Sequence, residues 1–76
     1  MKCELISVGD ELLIGQTINT NASWLGEQLN NLGFTIAYGL VISDQKKDIV
    51  NALNQAENRS DIVLITGGLG PTNDDI

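Results

Sequence analysis

The run Ile62-Val63-Leu64-Ile65 passes straight into Thr66-Gly67-Gly68-Leu69-Gly70-Pro71. Four consecutive apolar residues, three of them β-branched, leave no side for water. The run reads as a strand buried on both faces, the pattern of a central parallel strand. A glycine-rich turn at its carboxyl end adds a functional constraint, because ligands of open α/β sheets bind beyond the carboxyl ends of the strands. The rest of the chain either supplies further parallel strands with helical crossovers or contradicts this reading.

It supplies them. Cys3 to Val8 is a short, mostly apolar run with one early charge, and it reads as another buried strand stopped by Gly9. Gly9 to Thr20 reads as a loop of about a dozen positions, a length that in compact domains usually serves function. Ala22, Leu25, Leu29 and Leu32 then recur at spacings of three, four and three, which is one helical face. Thr20 or Asn21 can cap that helix, and Gly33 sits where a left-handed terminating residue is wanted. Phe34 to Ile42 predicts a strand with Gly39 as a bulge or close-approach point. Asp44 is placed to cap a second helix running to about Asn58, with Ile49, Ala52, Leu53 and Ala56 as its apolar face. The order is β-α-β-α-β, and right-handed crossovers make it a parallel α/β sheet.

A chain of 76 residues has room for one small domain, and it lacks the usual staples of small domains. Cys3 is the single cysteine and there is no histidine, so neither a disulfide nor a Cys/His zinc site can form. The sheet predicted here lacks a helix over its third strand. The expectation is that residues 1–76 are the N-terminal portion of a longer domain, or that the chain forms a homo-oligomer.

Ten acidic residues against four basic ones give a net charge of −6. Nucleic acid and anionic membranes both need a clustered positive field, so neither is expected as a partner. No signal peptide or membrane-length apolar run is visible, and a lone thiol suits a reducing compartment; the expected localisation is cytoplasmic. Cys3 reads as a small core residue, and Trp24 and Tyr38 as packing or interface residues.

Three segments reach the carboxyl edge of the predicted sheet: Gly9-Asp10-Glu11, Ser43-Asp44, and Thr66 to Asp75. Glycines let backbone N–H groups close on an anion, and Thr66 and Thr72 add hydroxyl donors. Asp74 and Asp75 would repel phosphate directly, so their use is to hold a hard divalent cation that bridges to it. The plainer alternative is a flexible turn with acids capping the next helix. Asp44 is more often simply a helix cap, Asp10 and Glu11 serve equally as solvated loop acids, and Asn19 and Asn21 read as residues that cap and pin the long loop. Neither a P-loop lysine nor Gly-x-Gly-x-x-Gly after the first strand is present.

Taken together, Thr66-Gly67-Gly68-Leu69-Gly70-Pro71-Thr72-Asn73-Asp74-Asp75, Val8-Gly9-Asp10-Glu11-Leu12-Leu13-Ile14-Gly15-Gln16 and Asn19-Thr20-Asn21 resemble the motifs of the competence/damage-inducible CinA family, in order along the whole chain. The resemblance implies a three-layer α/β/α molybdopterin-binding-like fold, of which this chain is the β-α-β-α-β portion, with a C-terminal amidase domain of some members absent. It also implies metal-dependent hydrolysis of a nucleotide pyrophosphate such as ADP-ribose. Carried onto this sequence, Gly67, Gly68, Gly70 and Thr72 would hold phosphate, with Gly9, Asp10 and Glu11 lining the pocket. Asp44, Asp74 and Asp75 would hold metal, and Asp74 and Asp75 would be catalytic. The implied cofactors are Mg²⁺ or Co²⁺, with potassium and molybdopterin as further candidates. Asp10 stands where CinA relatives often carry Thr and molybdenum-transfer proteins often carry Asp. A non-catalytic module for molybdopterin or another phospho-ligand therefore stays open as the alternative.

Overall fold

The computed structural model describes residues 1–16 and 18–67. The elements are β1 (Lys2–Val8), α1 (Asp10–Leu13), α2 (Thr20–Asn31), β2 (Thr35–Ile42), α3 (Lys46–Arg59) and β3 (Ile62–Gly67). The three strands are parallel and ordered β2-β1-β3. The predicted α/β class, the order of the main elements and the burial of the first strand hold, and the central place expected of the third strand is corrected. Among the described strands the centre belongs to β1, buried from Cys3 through Val8. β3, the most apolar run, flanks it and is only partly buried. Apolarity marked a strand that has to be covered but did not say by what.

Alternation along β1 sends Ile6 and Val8 to one face and Leu5 and Ser7 to the other. On the first face Ile6 and Val8 pack with Ala52 and Ala56 of α3, flanked by Leu40, Ile42, Ile49, Val63 and Ile65. The two alanines let the α3 backbone approach the sheet closely. Full burial of a side chain such as Ile6 contributes about 1.5–3 kcal/mol. α2 lies over the second face, with Gly26 above Leu5. No α2 residue is fully buried, and the expected stripe member Leu32 is exposed because the helix has ended at Asn31.

Four local expectations are corrected. The long loop begins with the helical turn α1, whose Leu12 and Leu13 amides donate to the Gly9 carbonyl. The α2 cap is Asn19, of the two asparagines read as capping and pinning the loop, and not Thr20 or Asn21; its Oδ1 accepts from the Ala22 amide at 3.3 Å. Asp44 does not cap α3: Gln45 occupies that position, and no side chain bonds the first turn from it. The irregularity in β2 is at Ala37, not Gly39. Cys3 pairs with Ile36 and Glu4 with Tyr38, which leaves Ala37 as the extra residue. Gly33, at φ 93°, does take the left-handed terminating conformation.

Candidate functional site

Register brings the carboxyl edge together. Val8 pairs with Ile42 on one side and with Gly67 on the other, so the three strands end level. The Gly9 amide donates to the Ile42 carbonyl at 3.0 Å, tying the β1 exit to the β2 exit. Gly9-Asp10-Glu11, Ser43-Asp44 and Gly67 therefore arrive at one edge, as the strand pattern predicts.

Gly67 has φ 91°, and a Cβ there would lie 2.2 Å from the Val8 carbonyl oxygen. Only glycine fits: the backbone turns against the end of β1 with no room for a side chain. Gly9 is different. Its φ of 162° is extended backbone, and a Cβ would meet only the flexible Glu11 carboxylate, at 2.9 Å. Asp10 and Glu11 form the exposed first turn of α1. Asp44 is also exposed. Its neighbour Ser43 is engaged instead, donating from Oγ to Asp48 Oδ2 and accepting from the Gln45 amide at 3.3 Å.

Asp10, Glu11 and Asp44 thus share an edge without converging. Among the described residues, no group of three or more cysteine, aspartate or glutamate side chains is placed to hold a metal ion. Gly68, Gly70, Thr72, Asp74 and Asp75 lie outside the described residues.

Two polar arrangements are not legible from the sequence alone. Ser7, only 2% exposed, has its oxygen accept from Asn19 Nδ2 at 2.8 Å. Thr66 is its register partner on β3. The signal was a single hydroxyl in the run Leu5-Ile6-Ser7-Val8. The second lies at the opposite end of the sheet, where the fully buried carboxylate of Glu4 accepts from Arg59 Nε at 3.0 Å, Arg59 Nη2 at 2.6 Å and Ser60 Oγ at 2.9 Å. The Arg59 hydrogen bonds hold the Glu4 carboxyl below its ordinary range, against the opposing effect of burial. A charge inside β1 is thereby matched, which explains how a glutamate sits in the central strand.

No helix among the described residues is long and apolar enough to cross a membrane.

Comparison with known proteins agrees with this architecture. The family described as "Probable molybdopterin binding domain" matches residues 4–76. A CinA-like protein of Frankia casuarinae is 49% identical over 76 residues, covering all of this chain and 18% of that protein. A Pyrobaculum aerophilum protein is 53% identical over 72 residues, covering 95% of this chain and 27% of its own length. The chain therefore spans about a fifth to a quarter of these relatives. The crystal structure of CinA from Thermoplasma acidophilum superposes with TM-score 0.88 at 41% identity, covering 93% of this chain and 42% of that one. The molybdopterin biosynthesis enzyme MoaB of Thermus thermophilus superposes with TM-score 0.81 at 24% identity over 93% of this chain and 46% of its own, a likeness of fold.

Proposed function

We propose, from the premise that this chain belongs to the probable molybdopterin binding domain family as a CinA-like member, that the full-length protein binds a phosphorylated small molecule at the carboxyl edge of the sheet and hydrolyses a nucleotide pyrophosphate such as ADP-ribose. The observation that carries the reading is Gly67. A left-handed glycine with no space for a Cβ lies against Val8, level with the point where Gly9-Asp10 leaves β1. That is how a strand exit brings amide groups to a phosphate.

Within this reading Gly67, Gly68, Gly70 and Thr72 contact phosphate, while Gly9, Asp10 and Glu11 form the neighbouring wall. The described carboxylates do not by themselves make a metal site. A divalent cation enters the proposal only through Asp74 and Asp75 with help from Asp44, and no step is derived through it. When bound, such an ion would supply charge neutralisation at the phosphates.

The test is to incubate the full-length protein with ADP-ribose and Mg²⁺ or Co²⁺ and follow AMP release. Release that Asp75→Ala abolishes supports hydrolysis at this edge; no release, or release undiminished in Asp75→Ala, overturns it. A second reading, a module that holds molybdopterin or another phospho-ligand without turnover, is favoured by the family description and by Asp10. Tight binding of a phosphorylated pterin without AMP release from ADP-ribose would select it.

A further inference from the structure

We infer that the hollow between α2 and the sheet holds a planar nitrogen heterocycle, the part of the phosphorylated ligand that lies away from its phosphates. The inference rests on the reading of the carboxyl edge given above and extends it to residues that edge does not include.

The hollow measures about 690 Å³, within the range of roughly 300–1,000 Å³ usual for small-molecule sites. Two glycines keep it open. Gly26 stands in the interior of α2, where glycine is disfavoured relative to alanine. A Cβ there would touch only Leu5 Cδ1, at 3.8 Å. Gly39 stands in β2, in register with Leu5, and a Cβ there meets no atom within 4 Å. Helix and strand thus face each other across a slot whose floor is Leu5 and Ile36. The rest of the lining is mixed, with Ser23, Glu27, Asn30 and Thr35 beside the apolar floor, and such a slot suits a flat ring with a polar edge.

One end of the slot is polar and fixed. The Ser7 oxygen accepts from Asn19 Nδ2, and no acceptor for the Ser7 hydroxyl proton is present among the described residues. Asn19 Oδ1 is committed to the Ala22 amide, so the carboxamide cannot turn without giving up the α2 cap. Ser7 O–H and the second Nδ2 proton of Asn19 are therefore positioned donors at the wall of a concave site. Burying such a donor unpaired is unfavourable, and a ring nitrogen or exocyclic carbonyl satisfies it. Ser7 immediately precedes Val8, and its register partner Thr66 precedes Gly67. The polar end of the slot is thus next to the phosphate edge, and one ligand can span both.

Adenine and a pterin both carry acceptors on a flat edge, and binding separates them. Calorimetry on the full-length protein would use ADP-ribose, neopterin monophosphate and inorganic pyrophosphate, the last a probe of the phosphate edge alone. Gly39→Leu fills the slot. It should weaken whichever heterocyclic ligand binds by at least about tenfold while leaving pyrophosphate within about twofold. Ser7→Ala removes one donor and should weaken the same ligand by about three- to tenfold with pyrophosphate unchanged. It remains decisive if Gly39→Leu does not fold. Heterocycle affinity unaltered in a folded Gly39→Leu or in Ser7→Ala, or an equal loss for pyrophosphate, overturns the inference. Pyrophosphate binding without either heterocycle overturns this inference alone; no binding of any of the three overturns the phosphate reading as well.

Discussion

Arg59, the last residue of α3, closes on Glu4 of β1 through two nitrogens, Nε to Oε1 at 3.0 Å and Nη2 to Oε2 at 2.6 Å, while its guanidinium lies 3.9 Å from the centre of the Tyr38 ring. Three elements, β1, β2 and α3, are locked together at the end of the sheet away from its carboxyl edge. A two-pronged guanidinium–carboxylate pair fixes orientation as well as distance.

Arg59→Leu should destabilise the protein by about 3 kcal/mol, the low end for leaving one member of a buried ion pair alone, because Arg59 itself keeps 31% of its side chain in water. Urea titration of the full-length protein measures it. A loss below about 1 kcal/mol would mean that water reaches Glu4 once the arginine is gone.

Acid should act through the same pair. Arg59 holds the folded-state carboxyl of Glu4 below its ordinary range, so the folded value is lower than the unfolded value of about 4.3. The stabilisation is then complete above that unfolded value and is lost as pH falls through the depressed folded one. Stability followed by urea titration from about pH 7 to about pH 2 should show an acid limb, and Glu4→Gln should flatten it. An unchanged limb in Glu4→Gln would place the acid sensitivity elsewhere.

Gly67→Ala should cost about 2 kcal/mol or more, since the new methyl would sit on the Val8 carbonyl and the backbone is left-handed. Gly9→Ala should cost far less, because only the Glu11 side chain has to move. Paired thermal melts give the ranking; equal losses at the two positions would contradict the close approach at Gly67.

Asn19→Ala should cost about 1 kcal/mol through loss of the α2 cap, with a further loss from the Ser7 contact. Asn19→Asp keeps a capping oxygen and removes the Nδ2 donor. It should recover most of the stability but not the Ser7 interaction, which chemical denaturation of both variants resolves.

Chelation with EDTA should abolish AMP release from ADP-ribose by the full-length protein, and added Mg²⁺ or Co²⁺ should restore it. Release that persists after exhaustive chelation would remove the metal from the proposal.

Much of the packing of α3 was legible because Ile49, Ala52 and Ala56 recur at helical spacing and lie on or against the core, whereas Leu53, expected on the same face, is exposed. Level strand ends followed from Gly9 and Gly67, the residues that stop β1 and close β3. What escaped depended on pairs distant in sequence. Glu4 reads as an unhelpful charge until Arg59 and Ser60 are brought beside it, more than fifty positions along the chain. Ser7 reads as a gap in an apolar run until Asn19 is placed over it. Strand centrality is likewise set by which neighbours arrive on both edges, which Ile62-Val63-Leu64-Ile65 does not encode. Asp44 looked like a cap by residue type, yet the cap position of α3 falls one residue later, at Gln45.

The extra residue Ala37 has a consequence for how this strand tolerates change. Ile36 and Tyr38, two positions apart, pair with Cys3 and Glu4, which are adjacent and so point to opposite faces. Ala37 resets the phase of the strand, and everything from Tyr38 to Ile42 is counted from it. Removing Ala37 would leave every later residue opposite its present partner. Removing any one residue between Tyr38 and Leu40 would instead shift the remainder by one step and turn Ile42 out of the core, bringing Val41 in. The two halves of β2 thus drift under separate rules, with a single alanine as the joint between reading frames.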